Sequence, residues 1–307
     1  MRKNLKLFAF KLKNMQHLEI LKTYKLYIGG AFPRTESGRF YKLENNKKEV
    51  IANMCLSSRK DFRNAVVAAR KAVEGWSGRA AFNRGQILYR IAEMLEGRKM
   101  QFIEELILQG ATKANAEKEV RQAIDRCVYY SGWCDKYQPL FGSINPVATS
   151  HFNFSVPEPT GVVSVLADEN SSLLGLVSVI MPIIVGGNTC VVLASETKPL
   201  CSITFAEVLA TSDLPGGVVN ILTGNSKELH THFASHMDVN AVVYCRENVE
   251  EAKAIAELSS LNVKRSFFWQ KDWTKTEHEN PYLIMDLQEI KTTWHPIENI
   301  GVSGAKY

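Results

Sequence analysis

No CxxC pair, no block of like charges and no apolar stretch long enough to cross a bilayer occurs in this 307-residue sequence. Each absence removes a class of function. The cysteines at 55, 127, 134, 190, 201 and 245 show no metal-ligand spacing and no adjacent histidine motif, so no metal site is expected. Cys190 and Cys201 lie inside apolar runs, where a cysteine serves as an inert packing residue. The longest apolar run, Leu173 to Val185, falls short of the ~20 residues that a membrane-spanning helix needs. The formal net charge is only +5, with bases and acids interleaved as in Arg59-Lys60-Asp61, so no nucleic-acid-binding stripe is indicated.

What remains is a chain with 45% hydrophobic residues, enough to bury a full core in one large domain or a domain plus an arm. A soluble protein in the cytoplasm is the expectation. Met1 to Lys13 mixes bases and apolar residues without acids, but has neither an h-region nor a cleavage site. Both Met1 and Met15 are candidate starts; Met15 is favoured, with 1–14 as an extension.

Periodicity gives the architecture. Gly161 to Leu166 reads as a buried strand, Leu173 to Val185 as a buried helix that stops at Gly186-Gly187-Asn188, and Thr189 to Ala194 as a second strand. Leu200 to Ala210 is a helix, Leu214-Pro215-Gly216-Gly217 a turn and Val218 to Thr223 a third strand. Strands that are apolar on both faces and alternate with helices predict an α/β fold, a parallel sheet covered on both sides. Upstream, Ser58 to Gly75, Asn83 to Gly97 and Met100 to Tyr137 read as amphipathic helices, with Tyr129, Tyr130 and Trp133 packed under the sheet. Pro146 to Val156 and Leu287 to Trp294 alternate like half-exposed strands.

The wording of the central run carries a resemblance. Glu158-Pro159-x-Gly161-Val162-Val163, Asn170, Gly187-Asn188, Glu196-Thr197-x-Pro199-Leu200 and Leu214-Pro215-x-Gly217-Val218-Val219-Asn220 together resemble the cofactor domain of the NAD(P)-dependent aldehyde dehydrogenases. Tyr27-Ile28-Gly29-Gly30 with Ser37-Gly38-Arg39 is similar to the family's opening strand pair, and Asp286 to Trp294 to its terminal dimerisation strand. The resemblance implies a Rossmann-like sheet with flanking helices, an N-terminal helical arm and a small oligomerisation sheet. The domains expected are an extension at 1–23, strands and arm at 24–138, bridging strands at 139–157, the cofactor-type domain at 158–285 and the terminal strand and tail at 286–307.

It also implies what is missing. In the family a catalytic domain bearing a cysteine nucleophile is inserted before the terminal strand, yet here Arg265 and Asp286 are separated by about twenty residues, where a domain needs at least ~50. The catalytic domain is therefore expected to be absent. Trp269 stands at the position of the general base, and an indole takes no proton from water. Asn170 matches the residue that donates to the oxyanion; with no nucleophile it is expected to cap the following helix instead. Of the ribose-binding pair, Leu193 replaces the lysine and Glu196 keeps the acid. Arg246-Glu247 replaces the Gly-Ser that admits the pyrophosphate, Lys227 to His230 replace small residues around the adenine, and Asp168-Glu169 replace a Pro-Trp pair. Glu196 and Gly224 are left as vestigial cofactor positions. No cofactor is expected, with NAD as a weak ligand at most.

The pattern of loss resembles the shortened second copy found in family-sixteen aldehyde dehydrogenases. It implies a non-catalytic assembly or regulatory subunit, as a homodimer or with a full-length aldehyde dehydrogenase. The alternatives are an NAD(P)-binding sensor and an oxidoreductase whose site another chain completes.

Overall fold

The computed structural model describes residues 20–297, so the extension at 1–14 and most of 1–23 lie outside the described residues, as does the tail past 297. The chain opens with a three-stranded sheet of β1 (Thr23–Tyr24), β2 (Phe40–Glu44) and β3 (Val50–Cys55), in the order β1-β3-β2. The strand pair expected around Tyr27-Ile28 is instead a pair of isolated bridges, Tyr27 to Ile221 and Ile28 to Ala31. Gly29 and Gly30 cause this by turning left-handed, with φ of 62° and 84°. The turn lets backbone meet backbone: a Cβ on Gly216 would stand 2.5 Å from the carbonyl oxygen of Gly29.

The helical arm begins with α1 (Arg59–Ser77), whose first turn is closed by a capping box between Ser58 and Asp61. It continues through α2 (Ala81–Gly97), α3 (Lys99–Leu108), α4 (Lys113–Ser131) and the short α5 (Tyr137–Phe141). The single helix predicted over 100–137 is thus two, with α5 starting at its last residue. Gly110, at φ 98°, ends one helix, and the Thr112 side chain caps the next by accepting the Asn115 N–H. The aromatic group at 129–133 joins the core on one side of the sheet, Tyr130 buried in it and Tyr129 and Trp133 packed against it. Its helix α4 lies on a helix that covers the sheet, and the Tyr130 hydroxyl donates to the Asn280 carbonyl.

Two strands follow, β4 (Ser143–Asn145) and β5 (His151–Pro159), where one was predicted over 146–156. Pro146 lacks the N–H that a continuous ladder needs, and the chain reverses there. The central unit then alternates β6 (Val162–Leu166), α6 (Leu174–Val185), β7 (Thr189–Leu193), α7 (Leu200–Ala210), β8 (Val219–Leu222), α8 (Ser226–Ser235), β9 (Ala241–Tyr244), α9 (Val249–Ser260) and β10 (Arg265–Phe268). All five strands are parallel in the order β10-β9-β6-β7-β8. This is the doubly wound α/β arrangement that the apolar runs predict. Alternate residues feed two cores: Val162, Leu166 and Val191 pack with Phe62, Phe233 and Ile255, while Val163, Val165 and Val192 pack with Ile180, Ile184 and Phe205.

A short helix, α10 (Tyr282–Met285), and the last strand, β11 (Gln288–Pro296), complete the chain as described. β11 pairs antiparallel with β5 along its whole length, giving a second three-stranded sheet in the order β11-β5-β4. Asn188, wholly buried, holds this sheet to the larger one: its Oδ1 accepts the Gly161 N–H at 2.8 Å and its Nδ2 donates to the Leu287 carbonyl at 3.0 Å.

The segment from Trp269 to Leu287, between β10 and β11, lies back on the domain. Trp269, Trp273, Leu283, Ile284 and Leu287 are buried in the main core. Trp273 packs so closely on α6 that a Cβ on Gly175 would be 3.2 Å from its ring. The buried Arg126 fastens the segment, donating to the Trp273 carbonyl (3.1 Å), to Glu279 (2.6 Å) and to Ser178 (2.6 Å). A charge this deep is tolerated because its donors are matched by a carboxylate and two neutral acceptors.

Candidate functional site

In an open parallel sheet ligands gather at the carboxyl ends of the strands, where the strand order reverses. Here that point lies between β6 and β9, whose neighbours continue in opposite directions. A cleft of ≈ 480 Å³ opens there, walled by Asp168, Glu169, Glu196, Ser226, Arg246 and Glu247 among others. Arg246 occupies its floor and is only 6% exposed. Its Nε donates to the Ala167 carbonyl (3.1 Å) and its Nη2 to the Ala194 carbonyl (3.1 Å). Nη1 lies 2.9 Å from Glu196 and Nη2 3.1 Å from Glu169.

Those carboxylates also satisfy backbone donors. Glu169 accepts the N–H groups of Glu196 and Thr197 and the hydroxyls of Ser195 and Thr197. Glu196 accepts the Ser226 N–H, at the start of α8, at 2.6 Å. A negative group there is favoured by the unpaired amides and dipole of the helix end. Ser226 in turn contacts Glu251, which also accepts from the Tyr244 hydroxyl.

Asn170 does not cap α6, contrary to expectation. Glu119 of α4 does so from across the interface, its Oε1 accepting the N–H groups of Leu173 (2.9 Å) and Leu174 (3.1 Å) and the Ser171 hydroxyl. Asn170 points the other way and donates to Glu247 at 3.4 Å, while Lys198 holds its carbonyl. The Asn170–Glu247 contact separates the cleft from a second cavity of ≈ 520 Å³, lined by Glu119, Lys118, Asp168, Asp272 and Trp273 among others. Asp168 borders both spaces; burial raises its carboxyl above the usual range, as do the neighbouring Glu169 and Glu247.

Trp269 is 4% exposed, and its Nε1 donates to Asp286 at 3.2 Å. The position implied for a general base therefore holds a packed indole with its polar atom already engaged. All six cysteines are free and buried. Burial pushes the thiol of Cys134 up to about 12, and those of Cys127, Cys190, Cys201 and Cys245 upward as well, away from the thiolate form that attacks carbonyls. Among the described residues no three of His, Cys, Asp and Glu are grouped to hold a metal ion.

The model of the aldehyde dehydrogenase family matches residues 32–267. The chain belongs to this family. It is 31% identical over 264 residues to the cytosolic 10-formyltetrahydrofolate dehydrogenase of Mus musculus, an alignment that covers 82% of this chain and 29% of that protein. It is 30% identical over 243 residues to an aldehyde dehydrogenase of Davidiella tassiana, covering 78% of this chain and 48% of the other. Among solved structures, PnpE from Pseudomonas sp. WBC-3 superimposes with a TM-score of 0.77 at 26% identity, covering 80% of this chain and 50% of that one. An NAD+ complex of the aldehyde dehydrogenase from Bacillus cereus shares the fold, with a TM-score of 0.76 at 24% identity over 84% of this chain and 52% of that one. The chain thus spans about half the length of these aldehyde dehydrogenases and under a third of the mouse protein. The family match ends at Phe267, two residues before the segment that folds back.

A pyrophosphate is anionic and is repelled by carboxylates that face the same cleft. Here the guanidinium of Arg246 fills the floor, Glu196 holds the α8 terminus and Glu247 projects from the loop after β9, so the residues present do not fit a pyrophosphate. Gly224 lies at the end of β8 against the arm, where a Cβ would stand 3.2 Å from the Ser57 nitrogen. Of the residues singled out in the sequence, Glu196, Arg246, Asp168, Asn170 and Glu247 meet in one cluster; Trp269 and Gly224 sit apart from it. The bonding roles of Glu169 and Glu119 were missed. Glu169, an acid three residues past one strand, faces an arginine two residues past another and left a readable trace; Glu119, on a remote helix, left none.

Proposed function

We propose that this chain is a non-catalytic member of the aldehyde dehydrogenase family that acts as an assembly or regulatory subunit. The carrying observation is the segment 269–287. It is anchored by buried tryptophans and by Arg126, and it lies back on the domain just past the point where the family match ends. The cysteine that lines the cavity beside Asn170, Cys245, is held in the thiol form by burial, which supports a reading without the family's nucleophilic step.

The surface that suits assembly is the small sheet. β11 is an edge strand with Ile290 and Trp294 each 56% exposed, and the opposite edge presents Ile144. An open edge with apolar side chains is satisfied by adding strands from another chain. The partner is a second copy or a full-length aldehyde dehydrogenase, and the expected location is the cytoplasm, since the relatives named above include a cytosolic enzyme.

The reading is tested by light scattering on the purified protein, alone and mixed with a full-length aldehyde dehydrogenase from the same cell. A dimer or a mixed oligomer is expected, with no reduction of NAD+ in the presence of simple aldehydes by the protein alone. A strict monomer that also ignores the full-length enzyme, or turnover by the protein alone, refutes it.

A further inference from the structure

The amide groups at the carboxyl rim of an open parallel sheet normally wait for an anionic ligand, which neutralises the helix ends and bridges the strand ends. In this protein those groups are already taken. Glu196 accepts the first N–H of α8, and Glu169 accepts the N–H groups that follow β7. Arg246 then bonds both acids and the carbonyls that close β6 and β7, while its own carbonyl accepts from Gln270, just past β10, at 2.8 Å. Segments following all five parallel strands meet in this one cluster.

We propose that the cleft is self-liganded. Glu169 and Glu196 take the anion positions and Arg246 is their bound counter-ion, so the cluster ties the strand ends together and admits no nucleotide. Two features reinforce this. The acids Asp168, Glu169, Glu196, Glu247 and Glu251 outnumber the bases Lys227 and Arg246 around the cleft, which repels a phosphate. The guanidinium is held in place, because side chain and backbone are both anchored. The inference concerns the cleft alone and holds whether or not the protein assembles with a partner.

The test is amide hydrogen exchange by NMR on the full chain, with NAD+ and AMP titrated to millimolar concentration. In ligand-free protein the amides of Glu196, Thr197 and Ser226 are expected to be protected, and neither probe is expected to produce a saturable shift. Unprotected amides, or saturable binding of either probe, overturn the proposal. Removing one acid at a time should expose only its own donors: Glu169→Ala lowers protection at 196 and 197, and Glu196→Ala at 226, each on the order of tenfold. Loss of protection spread evenly over the rim in both variants would mean general destabilisation and would refute the assignment. Arg246→Met, alone and with Glu196→Ala, closes the cycle. The effects are expected to be strongly non-additive, and simple addition tells against a coupled cluster.

Discussion

The carboxyl rim of the five-stranded sheet and the outer edge of the three-stranded sheet are built from opposite materials. At the rim, hydrogen-bond donors that face a crevice are closed by side chains of the same chain: Glu119 at α6, Glu196 at α8, Glu169 at the β7 turn. At the outer edge, β11 keeps one side of its backbone unpaired among the described residues and shows Ile290 and Trp294 to solvent. The contrast teaches where this fold has become self-sufficient and where it has not. A ligand site has been internalised, while a surface suited to a neighbour has been left open.

The largest effect is expected where the closed half is sealed. Trp273→Ala removes a side chain that is 2% exposed and should cost about 3–5 kcal/mol in urea unfolding. A loss under ~1 kcal/mol would mean that the segment merely drapes over the core. Next comes Glu119→Ala, which frees the N–H groups of Leu173 and Leu174 and should cost roughly 1–2 kcal/mol. If it is silent, α6 owes nothing to the Glu119 cap.

Third, burial raises the carboxyl of Glu105 above its usual range, although bonds from Thr204 and Tyr24 oppose the rise. A folded-state value above the unfolded one means that the stability this group contributes at low pH is lost as pH rises through the folded value. Glu105→Gln does not titrate, so its stability relative to wild type should improve as pH rises above the ordinary carboxylate range. A difference constant with pH would show that the carboxyl is not strained by burial. Smallest is Trp294→Ala in the open half, 56% exposed, which should change monomer stability by no more than ~0.5 kcal/mol. A cost near that of Trp273→Ala would erase the contrast between the two halves.

The sheet was legible in the sequence because its strands are continuous apolar runs bounded by glycine, proline and asparagine, a pattern that only a doubly covered strand sustains. The break inside 100–137 was written there too, as Gly110 with Thr112, but helical periodicity on both sides obscured it. The rim cluster was only half legible. Glu169, Glu196 and Arg246 could be placed by strand ends, yet their mutual contacts depend on side-chain directions that no spacing encodes. Asn170 shows the limit most clearly: a residue well suited to capping stands next to a helix that Glu119, from another element, caps in its place.

Asn188 has a consequence for anything that grips the last strand. Because one rigid amide bonds Gly161 at the foot of the parallel sheet and Leu287 at the root of β11, the small sheet is not a swinging arm. It is a handle cast in one piece with the body, so a binder seated on it meets the rest of the molecule at a fixed attitude, and torque applied there is felt at the base of the sheet rather than absorbed by a hinge.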